Sequence, residues 1–142
     1  MSRLVALFHR DGRPADAMQI QRMIAPVRRS AAVGPRTWIG GVAALAYQCL
    51  RDESHATDLQ PAGAGELALC FDGRLDNREE LAGHLASDVR DPLTTRSDAD
   101  LVLACYRHFG EFFATHLNGD FALALFDGRE RRLLLARDRM GI

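Results

Sequence analysis

The sequence predicts an α+β domain with a largely antiparallel sheet. Three observations carry that expectation. Short apolar runs come in pairs around glycine turns, at Trp38 to Leu50 and at Phe121 to Ala136. Segments with apolar residues at helical spacing lie between those pairs. The chain has 142 residues, 47% hydrophobic and 26% charged. That is enough apolar material for one domain with its own core, and it excludes a disordered, fibrous or collagen-like polymer.

Each element follows from local chemistry. Leu4 to Phe8 is a continuous apolar run and reads as a buried strand, ended by the turn residues Asp11-Gly12-Arg13-Pro14. Ala15 to Ala25 places Met18, Ile20, Met23 and Ile24 near helical spacing, and Pro26 ends that helix. Gly34-Pro35 is a break. Trp38-Ile39 and Val42 to Leu50 read as two strands of a hairpin around Gly40-Gly41. Residues 51–65 are polar and small, hence a loop. Leu67 to Phe71 is a further strand, closed by Asp72-Gly73. Asn77 to Leu85 reads as a helix, with Asp76 as its cap and Glu79 and Glu80 where the dipole favours anions. Residues 87–97 are a second loop. Ser97 caps a helix whose apolar face is Leu101, Val102, Cys105, Tyr106 and Phe109, and Gly110 stops it. Phe112, Phe113 and Leu117 lie on a short amphipathic helix. Asn118-Gly119-Asp120 is a turn. Phe121 to Phe126 and Arg132 to Ala136 form a hairpin across Asp127-Gly128-Arg129-Glu130.

The balance of 18 basic against 19 acidic residues leaves a net charge of −1. There is no global field for nucleic acid or an anionic membrane. Every basic residue is arginine and none is lysine, which removes lysine nucleophiles, Schiff bases and phosphate-loop lysines. Cys49, Cys70 and Cys105 are widely spaced, without a CxxC or a zinc pattern. Each sits in an apolar stretch, so buried reduced thiols in the cytoplasm are expected. His9, His55, His84, His108 and His116 show no metal-ligand spacing, so solvated histidines are expected and no metal. Arg131-Arg132 and Arg137-Asp138-Arg139 read as solvated charge clusters. No run approaches the ~20 apolar residues of a membrane span.

Four stretches occur in a telling order. They are a strand beginning at residue 2, Phe71-Asp72-Gly73-Arg74-Leu75-Asp76-Asn77-Arg78-Glu79-Glu80-Leu81, then Ser97-Asp98-Ala99-Asp100, then Leu117 to Asp127 running on to Ala136-Arg137-Asp138-Arg139-Met140-Gly141-Ile142. This order resembles the N-terminal glutaminase domain of asparagine synthetases, the class II glutamine amidotransferases of the N-terminal-nucleophile (Ntn) hydrolase type. The resemblance implies an Ntn-hydrolase-like αββα sandwich with antiparallel sheets. It also implies a chemistry, in which an N-terminal cysteine attacks the glutamine side-chain amide and its own α-amine serves as base. Ammonia then passes to a C-terminal synthetase domain that uses ATP and magnesium to activate a carboxylate. Residues 1–142 therefore read as one glutamine amidotransferase type 2-like domain. The family's domain continues past Gly141-Ile142, so the resemblance implies a fragment without its synthetase domain. No cofactor is expected in this part. The implied partners are a synthetase domain or subunit and glutamine, with a homodimer left open, and neither nucleic acid nor membrane.

The implied pocket departs from the family pattern. Ser2 stands where the family has its nucleophilic cysteine, and a hydroxyl is the weaker nucleophile near neutral pH. The plainer alternative for Ser2 is a surface N-terminus. Cys49, followed by Leu50, stands where the family has an arginine for the substrate α-carboxylate, so a bidentate cation is lost. Arg51, on the same face, is the candidate for compensation, and the plainer role of Cys49 is a core thiol. Asp72-Gly73-Arg74 stands where the family has Asn-Gly-Glu, which replaces an oxyanion-hole donor with a carboxylate. As a plain residue pair, Asp72-Gly73 is a turn. Asp98 matches the aspartate that holds the substrate α-amine, or is simply an acidic residue at a helix start. The resemblance extends to β-lactam synthetases and lasso-peptide cyclases, relatives with silent glutaminase domains. The sequence thus predicts a degenerate glutaminase-like domain of an ATP-dependent amide-forming ligase. The alternatives are an active amidohydrolase with Ser2 as nucleophile, and a stand-alone binding module.

Overall fold

Alternation along the strands builds the molecule in four layers. The computed structural model describes residues 2–27, 34–49, 60–85 and 97–141. One sheet holds β1 (Arg3–Phe8), β2 (Arg36–Gly40) and β3 (Ala43–Gln48) in the order β1-β3-β2. The other holds β4 (Ala62–Ala64), β5 (Leu67–Leu75), β6 (Gly119–Asp127) and β7 (Arg132–Arg137) in sequence order. Every pairing is antiparallel. Odd residues of β3 and even residues of β1 face the second sheet. Ala43, Leu45, Tyr47, Leu4, Ala6 and Phe8 there share a core with Ala68, Cys70, Ala124 and Phe126.

The outer faces take the helices. α1 (Ala17–Ile24) lays Ile20 and Ile24 on Ala44, Ala46, Val5 and Leu7. The second sheet turns Leu69, Phe71, Leu123 and Leu125 to α2 (Arg78–Leu85) and α3 (Asp98–Phe109). The result is the αββα sandwich that the resemblance implied. Fully buried side chains such as Leu45, Leu101 and Phe71 each contribute about 1.5–3 kcal/mol of burial.

Caps bound α1 and α3; Ser97 and Gly110 at α3 are those the sequence suggests, and Asp16 at α1 carries no mark there. Asp16 accepts from the Met18 N–H at 3.1 Å and Ser97 from the Asp100 N–H at 3.2 Å. Gly110 closes α3 at φ +61°. Pro26 falls in a 3₁₀ turn, Ala25–Val27, just after α1. A second 3₁₀ segment, Gly110–His116, buries Phe113 and leaves Phe112 exposed.

The structure corrects several expectations. Asp72-Gly73 does not close a strand; β5 runs on to Leu75, with Asp72 paired to Ala122 and Gly73 to Phe121. Residues 62–64 are the short edge strand β4 rather than loop. Gly119 and Asp120 begin β6 rather than a turn. The cap position of α2 is taken by Asn77, whose carbonyl accepts from Leu81 and whose side chain is tied to His116 and Asn118. Asp76 instead pairs with Arg74. His9 is buried, with Nε2 on Gln19 Oε1 at 3.0 Å and Nδ1 accepting from Arg13 Nε at 3.0 Å. Asp138 is buried too, because its carboxylate accepts from Phe121 and Gly141 N–H groups. Leu50, Arg51, His55 and most of both expected loops lie outside the described residues.

Candidate functional site

The site forms where β1 begins and β3 ends, over the middle of β5. The last paired residues of β1 and β3 there are Arg3 and Gln48. One step further along the same ladder lie Ser2 and Cys49. Alternation puts both on the inner face, with Leu4 and Tyr47. On β5, Ala68 and Cys70 face inward, so Asp72 does as well. The structure closes this triangle with a hydrogen bond: the Ser2 N–H donates to Asp72 Oδ1 at 3.0 Å.

Ser2 is 9% exposed and is therefore not a surface N-terminus. Cys49 is exposed and is not a core thiol, unlike Cys70 and Cys105. Burial pushes those two thiols up to about 12 and about 11, which keeps them protonated and inert.

Gly73 is dictated by the close approach of β5 and β6. Its φ is +137°, and a Cβ there would stand 2.1 Å from the Asp120 carbonyl oxygen. Gly119 meets the same constraint across the ladder, at φ +149°, with a Cβ 2.2 Å from the Arg74 oxygen. Arg74 turns to solvent, with Nε 3.4 Å from Asp76 Oδ1 and Nη2 3.5 Å from Asp120 Oδ2. Such exposed pairs are worth about 0–1 kcal/mol.

Asp98 sits at the first turn of α3. Its Oδ2 accepts from the Leu75 N–H at 3.0 Å and its Oδ1 pairs with Arg78. The carboxylate thereby joins the end of β5, the start of α2 and the start of α3. The structure brings Ser2 against Asp72, with Gly73 next to Asp72 on β5 and Cys49 one residue past the end of β3. Arg74 and Asp98 are engaged elsewhere, and Leu50 lies outside the described residues.

Two residues that the sequence reading passed over hold this geometry. The buried Gln60 side chain takes the Phe71 N–H at 2.5 Å and donates to the Phe71 oxygen at 2.8 Å. It acts as an extra strand partner for the residue before Asp72. Asp138 takes the N–H of Phe121, the ladder partner of Gly73, at 3.3 Å. The Phe71 and Phe121 rings stack at 5.9 Å between these two braces. No periodicity marks Gln60 in its polar stretch. Asp138 is disguised by its flanking arginines.

Among the described residues no three His, Cys, Asp or Glu side chains gather to hold a metal ion. No helix among them is long and apolar enough to cross a membrane. The triangle thus offers an acceptor-only carboxylate, a serine at the tip of an edge strand and a thiol, and no arginine for an anion among its described residues.

Comparison with known proteins bears on the chain as a whole. Residues 48–142 match the family described as a glutamine amidotransferase domain. The chain is 35% identical over 92 residues to amidase chry2 of Gibberella zeae, covering 60% of this chain and 13% of the relative. It is 37% identical over 76 residues to asparagine synthetase [glutamine-hydrolyzing] 2 of Oryza sativa subsp. japonica, 54% of this chain and 12% of the relative. Against the asparagine synthetase [glutamine-hydrolyzing] of Triphysaria versicolor it is 33% identical over 100 residues, 69% of this chain and 17% of the relative. The chain spans less than a fifth of the length of these curated relatives. The match covers well over half of the chain and the αββα layering agrees with it, so the chain belongs to the glutamine amidotransferase domains of the asparagine synthetase family.

Proposed function

We propose that this chain is a glutaminase-like domain with a silent glutamine site, working within an asparagine-synthetase-type, ATP-dependent amide-forming ligase. The observation that carries this reading is the Asp72 carboxylate 3.0 Å from the Ser2 nitrogen. Attack on an amide by an N-terminal nucleophile builds an oxyanion beside that residue, which needs donors aimed at it. An ionised carboxylate offers only acceptors and repels the developing charge. Losing one oxyanion donor costs about 10²–10³ in rate, before any repulsion. The Cys49 thiol supplies no bidentate cation for a substrate carboxylate. Asp98 already serves the Leu75 N–H and Arg78.

Residues 1–142 then act as one amidotransferase-type unit against a synthetase domain or subunit, which carries the ATP and magnesium sites. The ligase takes an amine already present in its substrate, as β-lactam synthetases and lasso-peptide cyclases do. We place it in the cytoplasm and expect neither nucleic acid nor membrane as partner. A homodimer is compatible with this reading. In the complete ligase, ATP cleavage into AMP and pyrophosphate should proceed without glutamine; strict glutamine dependence would sink the proposal. For this chain alone, glutamate release from glutamine should stay at the level of the Ser2→Ala variant.

A second reading makes Ser2 a working nucleophile that hydrolyses glutamine and donates ammonia. Its support is the place of Ser2 just before β1, on the face turned toward the second sheet and in contact with Asp72. Under that reading Ser2→Ala abolishes a measurable hydrolysis.

A further inference from the structure

We propose that Asp72 is a receptor for a primary ammonium, and that the chain's own N-terminus fills it once Met1 has been removed. The Ser2 N–H is the one hydrogen-bond or ion-pair partner of the Asp72 carboxylate among the described residues. With Met1 attached, that nitrogen is an amide carrying a single hydrogen and no charge. An ionised carboxylate with about four acceptor positions then has no cationic partner among the described residues. Removal of Met1 by an aminopeptidase hydrolyses the Met1–Ser2 peptide bond. Water supplies the hydroxyl to the methionine carboxylate and a hydrogen to the Ser2 amine, which takes up a further proton from solvent. The resulting ammonium presents three N–H donors and one positive charge to Asp72. Charge-assisted hydrogen bonds of this kind are roughly twice as strong as neutral ones.

The contact spans 70 residues of sequence and joins one sheet to the other. β1 is an edge strand, held to the second sheet otherwise by apolar side chains. The ammonium–carboxylate pair therefore clamps the open end of that strand. This deepens the reading of a silent site and rests on it, because an amine held as an ammonium cannot serve as the base for Ser2. The sign follows from linkage. An amine whose folded pKa is raised contributes stability that is present below the unfolded pKa, about 7.7–8.0, and is lost as pH rises through the folded value.

The chain contains no lysine, so its N-terminus is its one primary amine. Reductive methylation followed by intact mass therefore reads that amine alone. We expect the full chain lacking Met1, folded, to label at pH 7.5 at least about fivefold more slowly than the same chain unfolded in urea. Its apparent amine pKa should lie at least about one unit above the ordinary range, and Asp72→Asn should return it there. The processed chain should also melt higher than its Ser2-acetylated form, with that difference lost in Asp72→Asn. Equal amine pKa values in the folded and unfolded wild-type chain would overturn the clamp, and that comparison stands even if Asp72→Asn fails to fold. Glutamate release from glutamine is read separately. If it appears, the silent-site reading falls whatever the amine does; if it is absent while the amine titrates ordinarily, only the clamp falls.

Discussion

Gly73 occupies a position that no other residue fits. Its positive φ is one constraint, and the Asp120 oxygen 2.1 Å from an added Cβ is a harder one, because that atom is backbone. Gly73→Ala must push β5 and β6 apart beside Asp72. We expect a loss of at least about 2 kcal/mol in urea unfolding. Gln60 acts at the same scale. Replacing it with leucine leaves the N–H and oxygen of Phe71 unpaired in the core, at a cost of about 2–5 kcal/mol. Gln60→Glu keeps the shape but, as a carboxylate, cannot donate to the Phe71 oxygen, so it should recover little of that loss. Cys49 gives a simpler check. In the folded chain a thiol reagent should modify Cys49 quickly and spare Cys70 and Cys105, which are buried with raised pKa values. Rapid modification of all three would contradict the described core.

At the scale of elements, the β6–β7 hairpin shows what a sequence can and cannot announce. Asp127-Gly128 between two apolar runs marked the reversal, and it is there, with Asp127 opposite Arg132. The loop is longer than a two-residue turn. Arg131 takes φ +49°, and Asp127 Oδ1 collects the Arg129 and Glu130 N–H groups. The other oxygen of Asp127 accepts from the Tyr106 hydroxyl at 2.7 Å and pins the hairpin to α3. Burial alone would raise the Asp127 pKa. The Tyr106 hydroxyl, the two N–H groups and the Arg129 charge outweigh it and hold the carboxyl below the usual range. A depressed carboxyl contributes stability above its unfolded pKa, about 3.9, that is lost as pH falls through the folded value. Asp127→Asn should therefore flatten the acid limb of the stability curve below about pH 4, measured by urea midpoints. α3 was legible from its helical spacing, and β1 and β6 from their short apolar runs, although β1 is an edge strand whose six residues are half-buried rather than buried. β4 and the extension of β5 were not legible. Ala62–Ala64 has little hydrophobic signal, and Asp72-Gly73 looks like a turn until its pairing with β6 is known. A ladder partner some 50 residues away leaves no trace in local spacing.

For the whole molecule, the four layers were implied by the family resemblance more than by any periodicity. Apolar alternation alone does not say which face of β3 meets the second sheet. The site divides in the same way. The identities at Ser2, Cys49 and Asp72 were readable, and their convergence needed the register of β1 on β3 and the layering of β3 over β5. Gln60 and Asp138 became visible only through their partners. The central claim is that a sound amidotransferase scaffold carries a site in which Asp72, facing Ser2, disables glutamine chemistry. The most direct test is the intact mass of the purified chain after exposure to the glutamine-analogue label diazo-oxo-norleucine, with circular dichroism on the same sample. The account predicts a folded protein with no adduct. A single adduct at Ser2, on a folded chain lacking Met1, would contradict it.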